Sequence, residues 1–331
     1  MKIVTWKLIA LASVMSLALA LAACVPAATP TPALTPITVQ LRWTHNAQFA
    51  GMYAANQMGY YTGEGLEVHF REGGPNVDWQ KAVLEGEAQF GLHGADVLIT
   101  TRAANKPLRA IAVIYRRSPV VFVALADSGI RRPQDFAGKV IATGSGTGRL
   151  VLHLMTARVG VQPDQYTEVP LTTDLKPIYT GQVDILSGYL FDQPETMRRD
   201  GYQINLIYPD DYGVHFYADT LFTSDDLIAK NPDLVRRFLR ATLKGWTYAI
   251  EHPAEVGAIV LKYQPNGDAD LENAKMITSI PLVNTGEDHI GWMKPEVWAG
   301  MAETLREQDV LTAPLDITQV YTMQFLAEIY P

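Results

Sequence analysis

The sequence predicts an α/β protein of two lobes with a cleft between them. Three observations carry this. Short β-rich runs alternate with amphipathic helical patterns from Ile37 onward, a second such series begins near Val123, and the pattern beyond Ser224 is helical only. Alternation of this kind predicts parallel βαβ units with helices on both sheet faces. A chain of 331 residues buries a large core and usually divides into two domains.

Ile37–Trp43 alternates like a strand, and Asn46–Met58 carries Phe49, Met52 and Tyr53 at helical spacing, which suits a core face. Leu66–Phe70 is a second strand, closed by Gly73-Gly74-Pro75. A helix around Trp79–Glu85 leads into the strand Gln89–Leu92, and another helix covers Ala95–Asn105. Leu108–Tyr115 and Val120–Leu125 are apolar enough to be buried strands. In the second series, the strand Gly138–Thr143 meets the turn Gly144-Ser-Gly-Thr-Gly148 and a helix over Leu150–Val159. Glu168–Leu171, Val183–Leu186 and Ile204–Ile207 follow as strands. Asn231-Pro232 reads as an N-cap with proline in the first turn, opening a long amphipathic helix through Val235, Phe238, Leu239, Leu243 and Trp246. The expected division is 37–122 with 221–331 as lobe one and 123–220 as lobe two. The chain thus crosses between the lobes twice. Clefts between α/β lobes hold ligands, and hinge closure is their usual motion.

The N-terminus has a separate role. Lys2 and Lys7 precede an apolar run, Leu8–Leu21, whose 14 residues are too few to cross a ~30 Å hydrocarbon core and suit a signal-peptide h-region. Leu21-Ala22-Ala23-Cys24 places small residues directly before the chain's single cysteine, an arrangement similar to the lipobox of bacterial lipoproteins. An ordinary secretory signal that happens to contain a cysteine is the alternative. It leaves a thiol with no disulfide partner. The Pro/Thr/Ala stretch to Pro36 then acts as an extended tether. The expectation is a signal peptide over 1–23, lipidation at Cys24 and a tether over 24–36, which would hold the chain outside the cytoplasm on a membrane.

Cleavage before Cys24 removes two lysines and no acids, taking the formal net charge from −8 to −10. With no Lys/Arg cluster, the chain lacks the footprint of a nucleic-acid binder. No second apolar stretch approaches membrane-spanning length, which excludes a permease. One cysteine excludes zinc–thiolate sites and disulfide frameworks, and no histidine spacing backed by carboxylates suggests a metal.

Several segments together, in this order, resemble the NMT1/thiamine-pyrimidine family of solute-binding proteins across residues 37 to 330: Leu41-Arg-Trp-Thr-His-Asn-Ala-Gln-Phe-Ala-Gly-Met-Tyr53, Gly59-Tyr-Tyr-Thr-Gly-Glu-Gly-Leu66, Ser118-Pro119, Asp127-Ser-Gly-Ile130 with Pro133 and Gly138-Lys139, and Asn231-Pro232. The resemblance implies a type II periplasmic-binding-protein-like fold and a monomer serving an ABC permease and its ATPase. The family includes a synthase branch with a lysine holding pyridoxal phosphate, a histidine and a CCCFC segment. Those positions fall here on His93, Val97 and Gly213-Val-His-Phe-Tyr217. A histidine forms no Schiff base and a valine transfers no proton. The resemblance therefore implies a binder without a cofactor. The Leu41–Gly51 opening is closer to the riboflavin-binding group, and pyrimidine precursors of thiamine are the alternative ligand.

Candidate ligand residues follow from strand ends, beyond which ligands of open α/β sheets lie. Trp43 stacks on a flat ring or belongs to the core. Asn46 hydrogen-bonds a ring edge or caps the next helix, and Gln48 stands beside it. His93 and Asp96 occupy the position where the resemblance implies a lost cofactor site. Tyr115 is expected to close the fourth strand opposite Trp43, with Arg116 and Arg117 solvated. Ser145 and Thr147 offer hydroxyls and backbone N–H groups at a helix N-terminus, suited to ribityl hydroxyls. Tyr189, Asp192 and Glu195 are expected to face the cleft from lobe two, and Tyr217 from the return crossing.

If Cys24 carries lipid, Cys24→Ser should move the protein from the membrane fraction to the soluble one. An unmodified Cys24 in the mass spectrum of the processed chain would overturn the assignment.

Overall fold

In the computed structural model, which describes residues 33–74, 77–144 and 146–331, the strands fall into two five-stranded sheets. The chain opens with β1 (Thr35–Gln40), β2 (Leu66–Arg71), β3 (Phe90–Gly94) and β4 (Leu108–Val113) in the first sheet. It crosses over residues 114–119 to the second, built from β5 (Val120–Leu125), β6 (Val140–Thr143), β7 (Thr167–Pro170), β8 (Ile185–Tyr189) and β9 (Ile204–Ile207). It returns over 208–218 to place β10 (Asp219–Ser224) in the first sheet. The spatial orders are β2-β1-β3-β10-β4 and β7-β6-β8-β5-β9. The expected segments Cys24 and Ser145 lie outside the described residues. β1 begins at Thr35, inside the stretch read from sequence as tether.

The sheets correct the expectation of purely parallel units. β1 runs parallel to β2 and β3, and β6 parallel to β7 and β8. β10, however, is antiparallel to both β3 and β4, and β5 is antiparallel to both β8 and β9. The two reversed strands are the two that enter a sheet from the other lobe. A parallel neighbour needs a long crossover connection, usually a helix. A strand arriving from outside the sheet carries no such requirement. Each crossing therefore delivers its strand reversed into the middle of a sheet, and the two lobes are tied by strands buried in their cores.

Helices α1 (Ala50–Gln57), α2 (Trp79–Leu84) and α3 (Ala95–Ala103) accompany the first sheet, and α4 (Thr147–Arg158) and α5 (Gln193–Arg199) the second. After β10 come α6 (Pro232–Glu251), α7 (Ala269–Val283) and α8 (Pro295–Glu307). Among the described residues no helix is long and apolar enough to cross a membrane. α6 begins as the sequence predicts: Pro232 opens it and the Asn231 side chain accepts the Leu234 N–H at 3.2 Å. Its apolar stripe, Val235, Phe238, Leu239, Leu243 and Trp246, is buried throughout. Phe238 stacks on Phe90 of β3 with ring centroids 3.9 Å apart, anchoring α6 to the first sheet. Phe49 and Tyr53 are buried as expected. Arg116, by contrast, is buried and ion-paired with Asp288, while Arg117 is exposed.

α6 meets α1 at two glycines. A Cβ on Gly245 would lie 2.0 Å from the Gly51 carbonyl oxygen, and one on Gly51 would lie 2.2 Å from the Trp246 ring. The backbones touch, so any side chain here must push the helices apart. Overpacking of this kind costs typically ~1–3 kcal/mol. Gly245→Val should therefore lower the unfolding free energy by at least ~2 kcal/mol in urea melts. A variant as stable as the parent would show that the two helices separate freely.

Candidate functional site

A cleft of about 310 Å³ opens beyond the carboxyl ends of β1, β3, β6 and β8, with walls from both lobes. Volume and position suit a small-molecule site. β1 leads into Leu41, Arg42 and Trp43, and β3 ends at His93 and Gly94 before α3. From lobe two, β6 feeds the glycine turn into α4, and β8 brings Ser187, Gly188 and Tyr189.

Arg42 and its partners form the floor. The guanidinium lies 2.9 Å from Asp219 Oδ1 and hydrogen-bonds the Tyr189 hydroxyl. Tyr189 in turn donates to Asp219 Oδ1 at 2.9 Å, and Gln48 Nε2 donates to Oδ2 at 2.6 Å. Asp219 is fully buried, so these three donors replace the water its carboxylate has lost. Burial opposes the charge of Arg42, but Tyr189 and Asp219 beside it hold its pKa above the ordinary arginine value.

One wall is aromatic. Trp43 and Trp79 line the cleft, and the Trp79 ring lies 4.2 Å from the His93 ring, tilted by 30°. Phe222 of β10 meets Trp79 edge-on at 5.1 Å and backs that wall. His93 Nδ1 accepts the Gly94 backbone N–H at 2.9 Å, which assigns the ring proton of neutral His93 to Nε2. Burial, with Arg42 nearby, pushes its pKa well below the ordinary histidine value. The neutral imidazole therefore carries a single donor. Leu41, Val77, Val97, Val120 and Leu171 add apolar surface.

The second lobe closes the site. Thr147, the first residue of α4, donates its hydroxyl to Asp96 Oδ1 across the cleft at 2.8 Å. Asp192 is bonded through both oxygens, Oδ1 to Lys275 Nζ at 2.9 Å and Oδ2 to Gln193 Nε2 at 2.9 Å. Lys275 also meets Glu272 Oε1 at 2.8 Å; burial opposes its charge, but the two carboxylates raise its pKa above the ordinary lysine value.

Of the residues the sequence singled out, Trp43, Gln48, His93, Thr147, Tyr189 and Asp192 line the cleft. Trp43 lies in the loop three residues past β1, not at its last position. The others sit elsewhere. Asn46 is a buried helix cap whose side chain accepts the Gln48 N–H at 2.7 Å. Asp96 is buried behind Thr147. Tyr115 lies two residues past β4 and does not face Trp43. It is fully buried, stacked on Phe191 at 5.0 Å, and its hydroxyl donates to the Gln48 carbonyl. Glu195 bonds Arg198 and Thr278 outside the cleft, and Tyr217 is buried edge-on against Trp298. Local partners claimed Asn46 and, through Arg198, part of Glu195, while partners distant in the chain claimed Asp96, Tyr115 and Tyr217. Sequence reasoning missed Arg42, Trp79, Ser187 and Gln193 in the lining and Asp219 beneath it. Arg42 neighbours Trp43 and was within reach of the strand-end argument. Asp219 had no local signal, since its partners stand 30 to 177 positions away. Among the described residues, no group of three His, Cys, Asp or Glu side chains stands together to hold a metal.

Arg42→Met would leave Asp219 buried without its counter-ion. It should cost about 3 kcal/mol of stability in urea melts. A loss within about 0.5 kcal/mol would mean that Gln48 and Tyr189 satisfy the carboxylate alone.

Comparison with known proteins places this geometry. The family description NMT1/THI5 like matches residues 46–256. The chain is 28% identical over 321 residues to the riboflavin-binding protein RibY of Chloroflexus aurantiacus, covering 91% of each chain. It is 23% identical over 301 residues to a 4-amino-5-hydroxymethyl-2-methylpyrimidine phosphate synthase of Legionella pneumophila, covering 88% of this chain and 92% of that one. It is 24% identical over 292 residues to the formylaminopyrimidine-binding protein of Halalkalibacterium halodurans, covering 86% and 88%. Among solved structures, the alkanesulfonate-binding protein SsuA of Xanthomonas axonopodis pv. citri superposes with a TM-score of 0.70 at 13% identity, covering 89% of this chain and 99% of that one. The fold is the two-lobed periplasmic-binding-protein fold.

Proposed function

Because the chain belongs to the NMT1/THI5-like family, we propose that it is the solute-binding component of an ABC importer and that its solute is riboflavin. In this proposal Cys24 carries a lipid that holds the protein on the outer face of the cell membrane, and the closed, loaded form delivers riboflavin to a RibX-type permease driven by its ATPase. The observation that carries the ligand is the cleft wall: Trp43 and Trp79 offer flat aromatic surface beside the neutral His93. A tricyclic ring matches such a wall, and each offset-stacked pair adds ~0.5–1.5 kcal/mol beyond burial. The 28% identity to a riboflavin-binding protein along 91% of both chains supports the same ligand. The second reading, a pyrimidine precursor of thiamine, is favoured by the likeness to a formylaminopyrimidine-binding protein.

We assign no turnover. The likeness to a pyrimidine phosphate synthase raises the question, and three residue observations support a binder. His93 stands where the resemblance implies a Schiff-base lysine. No cysteine occurs between 213 and 217. Tyr217, at the end of that segment, is buried against Trp298, and its hydroxyl accepts the Lys294 N–H at 3.1 Å.

Riboflavin should bind with a Kd between roughly 1 nM and 1 µM, and stacking should quench its fluorescence, which gives the titration directly. Trp43→Ala should weaken binding by about 2 kcal/mol or more while the melting temperature stays close to that of the parent. Unchanged flavin fluorescence, together with thermal stabilisation by formylaminopyrimidine, would replace riboflavin with the second reading.

A further inference from the structure

Asp96 is a buried titratable group outside the cleft lining. It is the second residue of α3, so its carboxylate sits in the first turn of its own helix. The same carboxylate accepts the hydroxyl of Thr147, the first residue of α4, at 2.8 Å. Two helices of nine and twelve residues from opposite lobes thus present their N-termini to one point. Helix N-termini attract anions through free N–H groups and the helix dipole. Here the carboxylate is the protein's own: burial raises its pKa above the ordinary aspartate value, and the Thr147 hydroxyl and the Arg42 charge act against that rise. Asp96 is 1% exposed, and among the described residues its second oxygen, Oδ2, has no hydrogen-bond partner.

Gly94 makes the arrangement possible. A Cβ there would lie 2.3 Å from both Asp96 Oδ1 and Thr147 Oγ1, so a side chain at 94 would part the pair. The rest of the cleft offers an anion no substitute. Among the described lining residues Arg42 is the one lysine or arginine, and it is spent on Asp219. Lys275, just behind Asp192, is held between two carboxylates.

We propose that Asp96 is a specificity-determining residue: it fills the anion position made by α3 and α4 and thereby restricts the cleft to ligands without a phosphate or sulfonate group. This rests on the cleft being the heterocycle site proposed above. It adds that the unphosphorylated form is chosen by charge, because a second anion would face a buried like charge with no free cation among the described lining residues.

The test compares riboflavin with riboflavin 5′-phosphate, and 4-amino-5-hydroxymethyl-2-methylpyrimidine with its phosphate, on the full chain and on Asp96→Asn. Asparagine keeps an acceptor for Thr147 while removing the charge. In the parent, whichever unphosphorylated compound binds should do so about 100-fold more tightly than its phosphate, and Asp96→Asn should narrow that ratio at least tenfold. Inorganic phosphate should leave the parent's melting temperature where chloride of equal ionic strength leaves it, and should raise that of Asp96→Asn. Parent binding of both forms alike, or stabilisation of the parent by inorganic phosphate, would overturn the proposal. An unchanged ratio in Asp96→Asn would overturn the assignment to Asp96, and Asp96→Ser provides the same test if the asparagine variant does not fold. Failure of riboflavin alone would remove the ligand reading. The pyrimidine pair and inorganic phosphate would still decide the role of Asp96.

Discussion

The cleft is organised around one buried negative charge. Asp219 is completely shielded from solvent, where an unpaired carboxylate would be too costly to keep. Its three donors come from three places: Arg42 past β1, Gln48 before α1, and Tyr189 at the end of β8. Two belong to the first lobe and one to the second, while Asp219 is the residue at which the chain re-enters the first sheet. Satisfying this one group therefore sets the position of the cleft floor and draws the lobes together.

Other contacts bind lobe to lobe around that centre. Asp192 and Lys275 pair at 2.9 Å, Arg199 reaches Asp268 at 2.7 Å, and Thr278 donates to Glu195 at 3.2 Å, so α5 is laid along α7. On the far side of the cleft Thr147 bonds Asp96. The exposed Arg199–Asp268 pair adds little on its own. The buried pairs matter more, because opening the lobes would take Lys275 from Asp192 and Thr147 from Asp96 or return these carboxylates to water. A ligand favours the closed form only through contacts it makes better there.

The electrostatic consequence is a cleft that is polar in its framework and neutral towards its contents. Arg42 and Lys275 are both engaged with carboxylates. His93 is kept neutral by burial, with one ring nitrogen occupied by its neighbour's N–H. What remains directed at a ligand is aromatic and apolar surface with a few single donors and acceptors. Among uncharged ligands such a site discriminates by shape, stacking and hydrogen-bond pattern.

The sequence by itself determined the alternation of strands and helices, the two-lobed plan, the capped start of α6 and its buried stripe, and the placement of Trp43, His93, Thr147 and Tyr189 near strand ends. These follow from local periodicity and cap chemistry, which act over a few residues. Tertiary structure alone decided the rest. The reversal of β5 and β10 depends on where each crossing lands. Tyr115 and Tyr217 went to the core, on Phe191 and against Trp298, because distant rings filled the space beside them. Asn46 became a cap rather than a ligand contact because the Gln48 N–H lies within its reach. Asp219 and Asp96 owe their roles to partners brought from far along the chain, 177 positions away in one case and 51 in the other. A buried charge takes its meaning from whatever the fold sets beside it, and no local pattern records that neighbour.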